Sequence, residues 1–322
     1  MNEVSAFVER AWREGVGPDD RSELASLAGH DDPELALFAV WLELLAGRPA
    51  PVPPELAAPA PAVVRAAAIV MRSKTGEGLD ELAAALDRLT DDDAHATAAR
   101  AWADFALAEL AHASHDLATM QRRVEALVVP GRPVALRIAA LIRMAGASLT
   151  RAEPAIARTW GRRALTLAET SGRKQQGVTA RLLLAIIEYV GGHLDATRRL
   201  IEPLLADAEV HGTARLLLAS IEEPERAMAL FGEGVRRAVE QGDPITYLLT
   251  ILIGSRRYVT LEHRADALVT ISAGIVELRK VAPQLARVLE EEREHWRAAW
   301  GELVWADAEL AAVRLVDNAR QH

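Results

Sequence analysis

Three stretches of this chain hold residue types that could do chemistry, and each lacks the companions that chemistry requires. His112, His115 and Asp116, with Asp91, Asp92, Asp93 and His95, could be drawn as a metal cluster. His112 and His115 stand at i and i+3 on one helical face, but a zinc centre needs three or four convergent ligands. HASHD reads better as a turn between two helices, with Asp116 as N-cap. Glu290, Glu291, Glu292 and Glu294 offer carboxylates for acid/base work. Their charged neighbours give no reason for an elevated pKa, so they read as a solvated helix face. SKTGEGLDEL at 73–82 is a Gly-rich turn beside Lys74, yet neither the phosphate loop G-x-x-x-x-G-K-[ST] nor a base-reading N-K-x-D occurs anywhere. The sequence holds no Cys, no G-x-S-x-G and no H-E-x-x-H, which removes thiol chemistry and the common hydrolase signatures. The expectation is a non-catalytic protein with no metal and no cofactor.

Recognition remains, and its residues depend on the elements that carry them. Half the residues are hydrophobic and 26% are charged, a folded balance, and much of the apolar share is Ala, which favours closely packed helices. Val4, Phe7, Val8, Ala11 and Trp12 follow the i, i+3, i+4, i+7, i+8 pattern of one helical face. Asp32 and Pro33 open another helix that carries Leu35, Phe38, Trp41, Leu42 and Leu45 to Gly47. Six prolines between 47 and 61 predict a stiff extended segment, either a linker after an N-terminal module 1–46 or a loop pressed against the rest. From Ala62 onward the pattern predicts helices at 62–73, 79–90, 94–111, 115–128, 133–146, 153–170, 174–190, 194–208, 213–221, 224–240, 244–258 and 261–281, then one long C-terminal helix from 284. No segment alternates with period two, so no strand is predicted.

The second helix of each pair starts near Gly78, Asp116, Glu153, Asp195, Glu223 and Glu262, a nearly regular period. Helix pairs recurring at about 34–47 residues mark a helical solenoid, with a bundle of unequal loops as the alternative. At these residues the chain resembles tetratricopeptide repeats, in the longer form found in bacterial regulatory proteins; the strong preference for Arg over Lys points to the same high-GC source. Leu184, Ala185, Gly192, Leu194, Asp195, Ile201 and Leu204 take consensus places in one unit, and Ala227, Phe231 and the exit turn VEQGDP in the next. Trp102, Ala106 and Ala118 match an earlier unit, and Tyr258, Ala267 and Ile271 a later one, while Thr197 and Arg122 stand where an alanine and an aromatic belong. The resemblance covers about 62–283. It implies an all-α, right-handed superhelical solenoid of antiparallel pairs, whose first helices line a concave, peptide-binding groove. SKTGEGLDEL separately resembles the last guanine-nucleotide motif of small GTPases, without that family's other motifs.

The last helix, 284–322, carries Leu285, Val288, Leu289, Trp296, Trp300 and Leu303 on one stripe and would cap the array with EEERE facing water. The Trp-rich stripe could instead be a homodimer seam. Charge sorted by helix is the most informative feature. The first helices carry Arg65, Arg72, Arg100, Arg137, Arg143, Lys174, Arg181, Arg215, Arg256 and Arg257 against only Asp104, Glu109 and Glu188, a surplus of positive charge inside a chain of net charge −9. A basic groove in an acidic protein draws in ligands of opposite sign. Arg65, Arg100, Arg137, Arg143, Arg181, Arg215 and Arg256, with Tyr247, are therefore the candidate partner contacts, because a guanidinium fork can donate two bonds to one carboxylate. The opposing reading is that these arginines lie on helix edges and pair with neighbouring acids. The expected job is a cytoplasmic scaffold or adaptor for an acidic or C-terminal peptide, binding neither nucleic acid nor membrane. The alternative is a sensing module that closes round a small molecule or signalling peptide, with Tyr247 or Tyr258 in an apolar pocket.

Overall fold

The computed structural model describes residues 3–54, 56–206, 211–222, 224–241 and 244–320, and among them every regular element is a helix. The helices are α1 (Glu3–Glu14), α2 (Arg21–Ser26), α3 (Pro33–Leu45), α4 (Pro59–Ser73), α5 (Leu79–Arg88), α6 (Ala96–Ala113), α7 (Leu117–Leu127), α8 (Val134–Thr150), α9 (Pro154–Thr170), α10 (Lys174–Val190), α11 (Leu194–Ile201), α12 (His211–Ala219), α13 (Pro224–Gln241), α14 (Pro244–Thr260), α15 (Arg264–Val281), α16 (Pro283–Trp300) and α17 (Glu302–Arg320). All-α is therefore the class, and the starts of α5, α7, α9, α11, α13 and α15 fall within two residues of those the period predicts. Glu223 and the Gly242–Asp243 part of the exit turn lie outside the described residues.

One turn recurs between these helices. A residue enters the left-handed region at His115 (φ 59°), Ala152 (60°), Gly172 (72°), Gly192 (76°) and Glu262 (64°), one position before an N-cap. In four of them the N-cap amide donates back across the old helix end: Asp116 to the Ala111 carbonyl (2.8 Å), Glu153 to Ser148 (3.0 Å), Arg173 to Ala168 (3.0 Å) and His263 to Tyr258 (2.9 Å). This six-to-one bond satisfies a carbonyl that the helix end would otherwise orphan.

Several boundaries differ from the sequence expectation, α8 running on to Thr150 and α15 starting at Arg264, and three of the differences have a cause in Pro or Gly. Helix α4 begins inside the Pro-rich stretch, because Pro59 and Pro61 occupy its first turn, where a missing N–H costs nothing. The helix expected over 194–208 gives way at Glu202 to a 3-10 turn containing Pro203. The long C-terminal helix is two helices, broken at Gly301 (φ 78°, ψ 160°), a conformation that is nearly glycine-only.

The chain forms two compact units, Met1–Gly191 and Gly192–His322. In the first, one apolar cluster runs from Val4 to Ile187, so residues 1–46 share the core of the later helices. Trp12, Phe38, Trp41, Trp102 and Phe105 are fully buried at its centre, Trp41 and Trp102 with ring centroids 4.4 Å apart, and the Trp41 indole N–H donates to the Val64 carbonyl (3.2 Å). A polar clamp ties the N-terminal turn to α10. The Asp19 carboxylate accepts from the Gln175 and Gln176 amides (2.7 and 3.2 Å), and buried Arg173 reaches Asp20 (2.6 Å) and Glu14 (3.3 Å). In the second unit, α15 packs on α14, α16 and α17, around Ile271, Leu278, Leu289, Trp296 and Trp305. A smaller cluster joins Leu216, Ala219, Ala227 and Phe231.

Candidate functional site

The side chains with apparent chemistry mostly have structural work. Asp116 caps α7 by accepting from the Thr119 amide (3.0 Å), and the Thr119 hydroxyl, with that amide, holds its carboxyl below the usual carboxylate range. His95 stacks on Trp12 (4.8 Å), Asp91 pairs with Arg100 (2.5 Å), and Asp93 accepts from the Thr90 amide (2.7 Å). Among the described residues no group of three or more His, Asp or Glu is placed to hold a metal. Gly78 is the left-handed N-cap of α5, and a Cβ there would come within 2.7 Å of Ile69, so the Gly-rich stretch is a tight helix-to-helix turn. EEERE does not simply face water. Glu292 accepts two bonds from Arg256 on α14 (2.8 and 2.7 Å) and one from the Trp296 indole (3.0 Å), which holds its carboxyl low, and Glu290 pairs with Arg279 on α15 (2.6 Å).

The expected arginine wall is largely neutralised from within. Arg65 pairs with Glu81 and donates to the Pro53 carbonyl (2.8 Å); Arg143 pairs with Glu109 (3.2 Å), Arg181 with Glu169 (2.7 Å) and Arg215 with Glu233. With Arg100 on Asp91 and Arg256 on Glu292, six of the seven candidate arginines face a carboxylate of their own chain. Tyr247 is not at a surface groove: it is 8% exposed in the second unit's core, and burial raises its phenol above the ordinary value.

Arg137 is the exception. It stands in the first turn of α8, against α9, the neighbour with which α8 packs along its length. Helix α9 also packs closely on α10: Ala157, Gly161, Ala164 and Ala168 form a buried small-residue face, and a Cβ on Gly161 would meet Leu184 of α10 at 2.9 Å. The periodicity that buries this face turns Arg162, Arg163, Thr166 and Thr170 outward. Together with Arg137 they surround an open recess of about 350 Å³ over Val128, Leu141 and Leu167, and among the described residues no carboxylate lines it. The Arg137 Nε is buried with no hydrogen-bond acceptor. Arg163 lies over the Trp160 ring at 4.7 Å, and Arg162 stands 3.6 Å from Glu188, which Arg158 holds at 2.8 Å. Three guanidiniums around an apolar floor can take an anionic group, with Thr166 as a further donor, while the Thr170 hydroxyl already donates to the Thr166 carbonyl (2.9 Å).

Sorting charge by first and second helices hid Arg162 and Arg163, which lie on the second helix of their pair. The signal that could have found them is the Arg-Arg pair followed by Thr at one and two turns, opposite an Arg in the preceding helix. The Trp-rich stripe also divides: Leu289 and Trp296 are buried and Trp300 stacks on Trp296 (5.7 Å), whereas Val288 and Leu303 are 40% and 85% exposed. No family model matches the chain, and no curated protein or solved structure shows significant similarity to it.

Proposed function

We propose that this chain is a non-catalytic interaction protein in which tetratricopeptide-like helix pairs stack as a right-handed solenoid and hold an acidic segment of a partner protein. The regular helix starts and the recurring left-handed turn support the stacked arrangement. The observation that carries the binding reading is the recess at Arg137: an unsatisfied buried guanidinium N–H, two further arginines and, among the described residues, no acid in the lining. An anion there gains charge-assisted bonds without displacing an internal partner of Arg137. A C-terminal carboxylate or a Glu side chain followed by an apolar residue suits a basic rim over Val128, Leu141 and Leu167. Five of the internally paired arginines then serve as helix-to-helix ties, and Arg100 ties α6 to the turn before it.

The test is fluorescence anisotropy of a labelled dodecapeptide of alternating Glu and Leu with a free C-terminus, against its Lys and Leu counterpart. Arg137→Glu with Arg163→Glu should weaken the acidic peptide by about tenfold or more, equivalent to about 1.4 kcal/mol. Arg181→Glu, already paired with Glu169, should change little. Equal affinity of the wild type and the Arg137→Glu, Arg163→Glu protein would overturn the reading.

A further inference from the structure

The second unit carries an apolar groove with an acidic margin. It lies along α15 and α17, has a volume of about 970 Å³, and is lined by apolar side chains that include Val269, Val276, Val313 and Val316. Val276, Leu310 and Val313 are 53%, 54% and 57% exposed there, so three large apolar groups stand together in water. Scattered exposed hydrophobics need no explanation; a contiguous lined groove does. A neighbouring recess of about 340 Å³, lined by Tyr258, Asp266 and Leu315, shares Val269 and Val316 with it, so the apolar surface is continuous.

Spacing and charge identify the occupant. Val269 and Val276 are two turns apart on α15, and Leu310, Val313 and Asp317 recur at three and four residues on α17. The contributing part of α17, Trp305 to Asp317, is about 18 Å long at 1.5 Å per residue, the length of a three-turn helix. A groove with this repeat and length fits the apolar face of a helix laid into it. Among the described residues Glu277, Glu309 and Asp317 line it, against one cation, Arg293, which lies 3.9 Å from Glu294. Glu277 is paired with Lys280 (2.7 Å), but Glu309 and Asp317 have no ion-pair partner among the described residues. A second copy of the same groove would bring these carboxylates against each other, which disfavours self-association through this face.

We infer that the α15–α17 groove is a docking site for an amphipathic helix of a partner protein, three to four turns long, with an apolar ridge flanked by Lys or Arg. The ridge covers Val276, Leu310 and Val313, and the flanking cations meet Glu309 and Asp317. The site is separate from the Arg137 recess in residues, unit and charge, so each can fail alone.

The experiment uses the full chain and two labelled 14-residue amphipathic peptides, one of Leu and Lys and one of Leu and Glu, in anisotropy titrations. In a chain whose acidic-peptide recess is removed by Arg137→Ala with Arg163→Ala, the Leu/Lys peptide should bind saturably, about tenfold or more tighter than the Leu/Glu peptide. Val313→Asp, at an exposed position, should weaken it by about tenfold or more, and Glu309→Lys with Asp317→Lys should do the same without touching the apolar floor. Asp87→Lys with Asp92→Lys, two exposed residues of the first unit, makes the same net charge change and should leave binding intact. Helical circular dichroism of each variant confirms folding. Equal loss in the distant pair would mean attraction to net charge alone and would overturn the inference. Preference for the Leu/Glu peptide, binding unaffected by Val313→Asp, or dimerisation abolished by Val313→Asp would overturn it too.

Discussion

Residues 1–191 and residues 192–322 are written in the same helices and turns, yet they are finished differently. The first unit closes one continuous core over six fully buried aromatic rings and ties its N-terminal turn to α10 through buried Arg173 and Asp20. Among its described residues the second holds two separate clusters. Although shorter, it exposes ten of the fifteen large hydrophobics that reach the surface among the described residues. Both units stack helices on small residues: Gly161 sits under Leu184 in the first, and Gly274 under Ile251 in the second, where a Cβ would come within 2.6 Å. The difference is therefore not in helix packing but in what the outermost helices cover. In the first unit the recess at Arg137 is rimmed by cations, whereas the exposed edge of the second leaves an apolar groove that a partner can complete.

The sharpest break of this contrast is Arg173→Met. It leaves the Asp20 carboxylate buried without its cation, so the first unit should lose about 3–5 kcal/mol while the second is unaffected. Hydrogen exchange resolved by segment reads the two separately, and equal loss of protection on both sides of Gly191 would contradict the contrast. The pH response has a definite sign. Burial raises Asp20 above its ordinary pKa even with Arg173 beside it and Arg10 nearby. The folded chain therefore holds this proton more tightly than the unfolded chain, and folding stability contributed by Asp20 falls as pH rises between the unfolded and folded values. Without Arg173 that window widens upward, so Arg173→Met should lose most stability near neutrality, and adding Asp20→Asn should remove this extra slope.

A smaller effect sharpens the account of the second unit. If α16 and α17 were one helix, Gly301→Ala would stabilise it by about 1 kcal/mol. Because Gly301 holds φ 78° and ψ 160°, the same change should instead cost about 1–3 kcal/mol, read as a lowered melting transition of the second unit. Smallest of all, Arg181→Ala removes a partly exposed pair with Glu169 and should cost under about 1 kcal/mol in urea denaturation, with no loss of acidic-peptide binding. A larger loss of either would return Arg181 to the candidate site.

Amphipathic periodicity, capping residues and repeat spacing were enough to read the all-α class and most helix starts, because they depend on neighbours within a few residues. Asp32 and Asp116 act as the caps that their positions predict. The charge surplus of the first helices was equally legible, and so was the opposing possibility of edge pairing. What the order of residues could not supply is which acid faces which arginine. Arg173 meets Asp20 across 153 positions, and Arg256 meets Glu292 across 36. Only the packed fold decided that six candidate arginines are paired and Arg137 is not, that Arg162 and Arg163 join it, and that a glycine divides the last helix so that α17 packs on α15. Local pattern fixes which face of a helix is buried, whereas the partner of an exposed charge depends on distances set by every turn between the two.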